Sequence, residues 1–185
     1  GTGYYLFWLL LVRKVMFNIA DSFVSDLGEG VYADKLTGRV FWLDINNSIL
    51  FYKTQLDVNE HPVQFKLQNN PSCIFDVKGK LVVFLDAEGI KQLDLLTEKL
   101  TVITEVPHDV KKFRGNDGVK LADGSLFFGT MMRKPSLNSG NLYLFKNNIL
   151  KQLSSISIPN GFVELADAIL VADSYVKRVY SYSKN

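Results

Sequence analysis

Arg114-Gly115-Asn116-Asp117-Gly118-Val119-Lys120-Leu121-Ala122-Asp123-Gly124-Ser125-Leu126-Phe127-Phe128-Gly129-Thr130-Met131 is the stretch whose reading decides the fold. A polar cluster with two glycines precedes a short apolar run. An Asp-Gly turn follows, then a second apolar run, which together read as a β-hairpin. Two other places have the same layout: Leu27-Gly28-Glu29-Gly30 before Val31, and Ile158-Pro159-Asn160-Gly161 before Phe162. In each, a polar side chain is expected where a strand begins. The expectation is that these side chains converge on one metal and one substrate.

Working outward, the hairpin repeats. Second strands open at Gly38, Gly79, Gly124 and Asp167, which are 41, 45 and 43 residues apart. After each comes an alternating strand: Ile49 to Tyr52, Ile90 to Leu93, Leu142 to Phe145 and Val179 to Tyr182. A fourth strand closes three of the units, at Val63 to Leu67, Leu100 to Thr104 and Leu150 to Leu153. An inner strand precedes each, at Gly30 to Ala33, Cys73 to Val77, Gly118 to Ala122 and Gly161 to Leu165. Four short antiparallel strands per roughly 40–45 residues is the pattern of a β-propeller blade. A β-sandwich with accidental spacing is the competing reading, and three near-equal intervals weigh against it. The expected fold is therefore all-β, with about four propeller blades, the fourth lacking its outer strand, in an incomplete ring.

Composition narrows the function. The chain has 185 residues, a formal net charge of +2, 13 Phe and 8 Tyr. The charge gives no reason to expect nucleic acid, and the aromatic content favours strands over helices. Cys73 is the single cysteine, which excludes an intrachain disulfide and fits a reducing, cytoplasmic compartment. Its expected place is a buried strand. The apolar run Tyr4 to Val12 is too short to span a bilayer, which needs roughly 20 residues. No membrane association is expected, and oligomeric state is left open. Residues 1–15 are expected to be a tag or extension outside the fold, with residues 16–185 forming the partial propeller.

Inner strands of a propeller line the central channel, so residues at their openings crowd one mouth. Glu29, Asp117 and Asn160 lie 88 and 43 residues apart, about two blades and one blade, with Asn116 beside Asp117. One carboxylate with amide oxygens is a hard-oxygen set suited to Ca²⁺, Mg²⁺ or Mn²⁺. The alternative is that each Asn or Asp caps a turn by bonding its own backbone. For Asp117 that alternative, or a role supporting the site from behind, is preferred. His61 and His108 are the only histidines, too few for a three-histidine zinc site. No Gly-x-Ser-x-Gly elbow or P-loop is present.

Three motifs together resemble the regucalcin/gluconolactonase family, also called senescence marker protein and luciferin-regenerating enzyme-like proteins. They are Leu27 to Gly30 continued by Gly38 to Ile45, Arg114 to Gly118 continued by Phe128 to Met131, and Ile158 to Gly161 continued by Val171 to Ser174 and Arg178 to Tyr180. The resemblance covers residues 16 to 184. It implies a six-bladed propeller holding one divalent metal, Ca²⁺ or Zn²⁺, that hydrolyses small-molecule lactones or related esters. It implies Glu29 and Asn160 as metal ligands, and Arg114 and Asn116 as substrate contacts, with Asn116 also close to the metal. The family's remaining ligand, an Asp that is its usual general-base candidate, would fall in a fifth blade beyond Asn185, so no catalytic base is assigned. Val31 and Ala33 depart from the family's usual Pro and Trp. The loop around Arg133 overhangs the family's pocket, although a solvated loop charge is the preferred reading of Arg133. Two other functional readings stand beside lactone hydrolysis: a catalytically incomplete propeller that binds Ca²⁺ or a protein partner, and an arylesterase or organophosphate hydrolase.

Overall fold

A computed structural model describes residues 19–54 and 60–184. The expected extension at residues 1–15 lies outside the described residues. Among the described residues the fold is strands and turns, with no helix. Blade one holds β1 (Gly28–Asp34), β2 (Arg39–Asp44), β3 (Ile49–Lys53) and β4 (Val63–Lys66). Blade two holds β5 (Cys73–Lys78), β6 (Leu81–Leu85), β7 (Gly89–Asp94) and β8 (Leu100–Glu105). Blade three holds β9 (Phe113–Lys120), β10 (Leu126–Met132), β11 (Gly140–Lys146) and β12 (Ile149–Ile156). Blade four holds β13 (Pro159–Glu164), β14 (Ala168–Asp173) and β15 (Arg178–Ser183). Each sheet is an antiparallel meander in chain order, and the innermost strands β1, β5, β9 and β13 adjoin one another in succession. This is the propeller arrangement that the repeat spacing predicts, with a three-stranded fourth blade.

The cores lie between blades, which explains the composition of the middle strands. A strand alternates its side chains between two faces, and an internal blade buries both. Hence β6 reads Leu-Val-Val-Phe-Leu without a polar break. Val82 and Phe84 pack toward blade one with Phe41 and Leu43, while Leu85 packs toward blade three with Phe128 and Tyr143. In β10, Phe128 faces blade two and Phe127 faces blade four, where it meets Ile169 and Val171. Phe127 and Phe128 are 2% and 0% exposed, so each contributes about 1.5–3 kcal/mol of burial to a different interface. The hairpins use the expected chemistry. Asn147 and Asn148, with φ of 51° and 62°, form the two-residue primed turn between β11 and β12.

A recurring carboxylate ties three of the four second strands to their neighbours. Asp44 and Asp173 end β2 and β14, and Asp86 directly follows β6; all three are buried. Asp173 accepts hydrogen bonds from the backbone N–H of Ser157 (2.9 Å), Ile158 (3.1 Å) and Tyr175 (3.0 Å). It thereby holds both the following turn and the entry to β13. Asp44 does the same for Asp26 and Asn47, and Asp86 for Glu88 and Gly89. Burial pushes the Asp44 and Asp173 carboxyls up, but these hydrogen bonds outweigh it and hold both below the usual carboxylate range. In Asp86 burial wins over the bonds, including the pair with Lys91, and its carboxyl is raised. A lowered folded-state pKa contributes stability above the unfolded pKa of about 3.9, lost as pH falls through the folded value. Asp173→Ala is expected to cost about 3 kcal/mol at neutral pH, roughly 1 kcal/mol for each orphaned amide. The variant should also lose less stability than the parent between neutral pH and pH about 3. Urea unfolding at the two pH values checks both.

One expectation requires correction. The polar clusters were expected ahead of the inner strands, with the third inner strand opening at Gly118. Instead β9 begins at Phe113, and Arg114 to Gly118 lies inside the ladder, with Arg114 opposite Met131 and Asp117 opposite Gly129. Glycine, asparagine and aspartate resemble turn residues in sequence. Here they occupy bulges and close-packed positions within strands.

Candidate functional site

Every inner strand carries a bulge, and the bulges carry the site. The ladder slips between Glu29 and Tyr32 in β1, between Ile74 and Asp76 in β5, at Asn116 in β9, and between Asn160 and Val163 in β13. A bulge bends its strand and re-aims the side chains beside it. In β1 and β13 the residue after the site side chain is a glycine in the left-handed region, Gly30 at φ 64° and Gly161 at φ 62°. Side-chain-bearing residues seldom adopt that conformation. Blade two places Phe75 at its bulge, buried and edge-on to Phe128 with ring centroids 6.0 Å apart. That blade accordingly supplies packing at this level. Glu29 and Asn160 lie immediately before their bulges, whereas Asp117 lies immediately after its own. The equivalence of these three residues suggested by spacing is therefore not the ladder's.

Of the predicted residues, Arg114, Asn116, Asp117 and Asn160 form a connected set across blades three and four, and Glu29 on blade one does not join it. The Arg114 guanidinium folds back over its own strand and donates from Nη1 to Gly115 O and Asn116 Oδ1, both at 2.8 Å. Asn116 Nδ2 donates to Pro159 O at 2.8 Å, crossing to blade four. Because one end of this amide accepts from an arginine and the other meets a carbonyl, its orientation is chemically determined. Asp117 accepts from Gly118 N (2.8 Å) and from Gly161 N (2.7 Å), so its carboxylate joins the two bulges. Asn160 Oδ1 also accepts from Gly161 N, at 2.9 Å. The backbone-capping geometry considered for Asp117 and Asn160 is thus present, and each oxygen keeps a second lone pair. Glu29 is exposed, and its carboxylate has no hydrogen bond or ion pair among the described residues.

Electrostatics follow from this packing. Burial lowers the pKa of Arg114, Arg133 adds to the effect, and the Glu29 carboxylate opposes it. The guanidinium stays charged. Burial raises the Asp117 carboxyl despite its two backbone bonds. Cys73 is buried in β5, as expected, and its thiol bonds Gly118 O at 3.3 Å. Burial, with Asp117 beside it, pushes that thiol well above its ordinary range, so it is inert packing rather than a nucleophile.

Arg133 is an exposed loop residue, as expected, and its side chain nevertheless has fixed partners. Its Nε donates to Val110 O at 3.1 Å, its Nη2 to Asn70 Oδ1 at 2.9 Å, and its backbone N–H to Lys112 O at 2.8 Å. Nearby, His108 stacks on Phe113 and its Nε2 bonds Ala87 O at 2.6 Å, which anchors the loop leading to Arg114. No sequence signal pointed to Asn70 or Val110 as partners.

As a metal centre, the set is oxygen-rich and sparse. Among the described residues no three His, Cys, Asp or Glu side chains come together as a metal cluster. The unpaired Glu29 carboxylate and the amide oxygens of Asn160 and Asn116 fit part of the coordination of a hard cation, which takes six to eight oxygens in the case of Ca²⁺.

A propeller with oxygen donors and a half-buried arginine at its strand bulges defines the class. Residues 27–185 match the model of the SMP-30/Gluconolactonase/LRE-like region, and the chain belongs to that family. Among solved structures it is similar to a calcium-binding protein, regucalcin, from Agrobacterium tumefaciens, at 25% identity over 90% of this chain and 57% of that one, with a TM-score of 0.82. It is also similar to a luciferin-regenerating enzyme (23% identity, 87% of this chain and 57% of that one, TM-score 0.76). A gluconolactonase from Xanthomonas campestris matches at 13% identity over 87% of this chain and 59% of that one, with a TM-score of 0.69. The last two bear on the fold alone. The chain spans less than two thirds of the length of each. No curated protein matches it. Among the described residues no helix is long and apolar enough to cross a membrane.

Proposed function

We propose that this site is that of a divalent-metal-dependent hydrolase of sugar lactones or related esters. Glu29 and Asn160 are the metal ligands in this reading, with Asn116 beside them. The carrying observation is the Glu29 carboxylate, which has no hydrogen bond or ion pair among the described residues although Arg114 lies within its electrostatic reach. Membership of the SMP-30/Gluconolactonase/LRE-like family supports the reaction class. A bound cation supplies Lewis-acid polarisation of the ester carbonyl and a lowered pKa for water. Arg114, pinned by Gly115 and Asn116, holds substrate hydroxyl or ring oxygens in place, a positioning role. Asp117 keeps the bulges of β9 and β13 in register. The cation is Ca²⁺ or Zn²⁺ on the family's pattern, and Mg²⁺ or Mn²⁺ suit the same oxygens. The expected compartment is the cytoplasm.

The test is hydrolysis of glucono-1,5-lactone, followed by proton release, with and without EDTA. Turnover should vanish with EDTA and return with added cation. Arg114→Ala should raise KM or lower kcat by roughly 10–100-fold while leaving cation affinity unchanged, the pattern of a positioning group. A second reading, a calcium-binding propeller without catalysis, draws on the sparse carboxylate set and the calcium-binding neighbour. Cation binding without turnover selects it. Faster turnover of an aryl ester or organophosphate than of the lactone selects an arylesterase-like activity instead.

A further inference from the structure

Two guanidinium groups lie at one mouth without an anion between them. Arg114 pairs with Met131 across the β9–β10 ladder, and one residue past the end of β10 the backbone N–H of Arg133 still bonds Lys112 O at 2.8 Å, which sets Arg133 diagonally across from Arg114. Neither arginine forms an ion pair with a carboxylate among the described residues. Both side chains are held by neutral acceptors: Gly115 O and Asn116 Oδ1 for Arg114, Val110 O and Asn70 Oδ1 for Arg133. Each fork has five N–H donors, and these contacts leave Nε and Nη2 of Arg114 and Nη1 of Arg133 unspent. Two fixed like charges repel, and Arg133 does disfavour the charge on Arg114. Glu29 is the carboxylate that offsets Arg114, and one carboxylate against two guanidinium groups leaves a net positive charge. A neutral ligand leaves that charge uncompensated. Planar forks match carboxylate and phosphate oxygens bidentately.

We infer that Arg114 and Arg133 together form a binding site for an anionic group, and that the substrate carries a carboxylate or phosphate in addition to its scissile ester. The word substrate rests on the proposed function; the anion site does not. Arg133 contributes the second fork, and Asn70 and Val110 fix its direction.

The experiment is calorimetric or NMR titration of the chain with glucuronate, glucose 6-phosphate and glucose. These sugars differ chiefly at carbon 6. EDTA is present, so that no cation contributes. The parent should bind at least one of the two anions about 10-fold more tightly than glucose, and the preference should shrink as salt rises from about 0.05 to about 0.5 M. Whichever anion binds tighter identifies the group. Arg133→Gln keeps donors for Asn70 but removes the charge; it should bring the anions to within about 3-fold of glucose and leave glucose binding and Tm unchanged. Arg133→Lys, a point charge without the fork, should keep part of the preference. Equal binding of all three sugars by the parent overturns the inference, as does an anion preference that survives Arg133→Gln. Lactone turnover is measured separately. Anion preference without turnover sinks only the hydrolase reading, and turnover without anion preference sinks only this one.

Discussion

Glu29→Gln is expected to weaken divalent-cation binding by roughly 100-fold, because ligand charge sets the affinity of such oxygen sites. The substitution keeps the shape of the side chain and removes only its charge. Thermal stability should be unchanged, since the carboxylate is exposed and bonds nothing in the fold. Asn160→Ala should weaken binding less, by about 10-fold, because it removes a neutral oxygen donor. It also removes an acceptor for Gly161 N, which still donates to Asp117. Calorimetric titration of the parent and both variants with Ca²⁺ and Zn²⁺ is the measurement. Parent-like affinity in both variants would remove the ligand assignment, and with it the proposed hydrolase.

Gly129→Val should destabilise the protein by about 3 kcal/mol, at the upper end of overpacking costs in a core. A Cβ at position 129 would lie 2.1 Å from Pro159 Cγ and 2.5 Å from Pro159 Cβ. Pro159 is itself buried at the start of β13, so its ring has little space to yield. The strain falls on the site as well, because Pro159 O accepts the Asn116 amide and Asn160 is the next residue. Cation affinity should therefore drop along with stability. Gly38→Asn is the contrast: Gly38 has φ 73° with nothing within 4 Å of an added Cβ. Asparagine tolerates that region, so a cost below about 1 kcal/mol is expected. Denaturant unfolding of the two variants separates glycine kept for space from glycine kept for conformation. Equal costs would show that the blade three–blade four contact is softer than the structure has it.

Those two glycines mark where the chain was legible and where it was not. Gly38, Gly79 and Gly124 were read as turn residues between first and second strands, and all three have positive φ in open space. Gly115 was read as part of a polar cluster ahead of the third inner strand and Gly118 as that strand's first residue, yet both lie inside β9. A Cβ at Gly115 would meet Leu85 at 2.6 Å, and one at Gly118 would meet Phe128 at 2.6 Å and Phe75 at 2.7 Å. Locally the two kinds of glycine are the same letter. What separates them is a neighbouring blade about 40 residues away in the chain. The same holds for Asp117, whose tie to Gly161 N spans 44 residues, and for Arg133, whose tie to Asn70 spans 63.

The amino-acid sequence by itself determined the repeat, the strands of each blade and the family. Those follow from alternation and turn chemistry within a few residues, which the chain carries wherever it goes. Only the tertiary structure decided where the polar clusters sit in the ladder, that bulges aim Glu29, Asn116 and Asn160, and that Arg133 is pinned beside Arg114. These depend on how one blade's face meets the next, and that fit is a property of surfaces brought together by the ring rather than of any one segment.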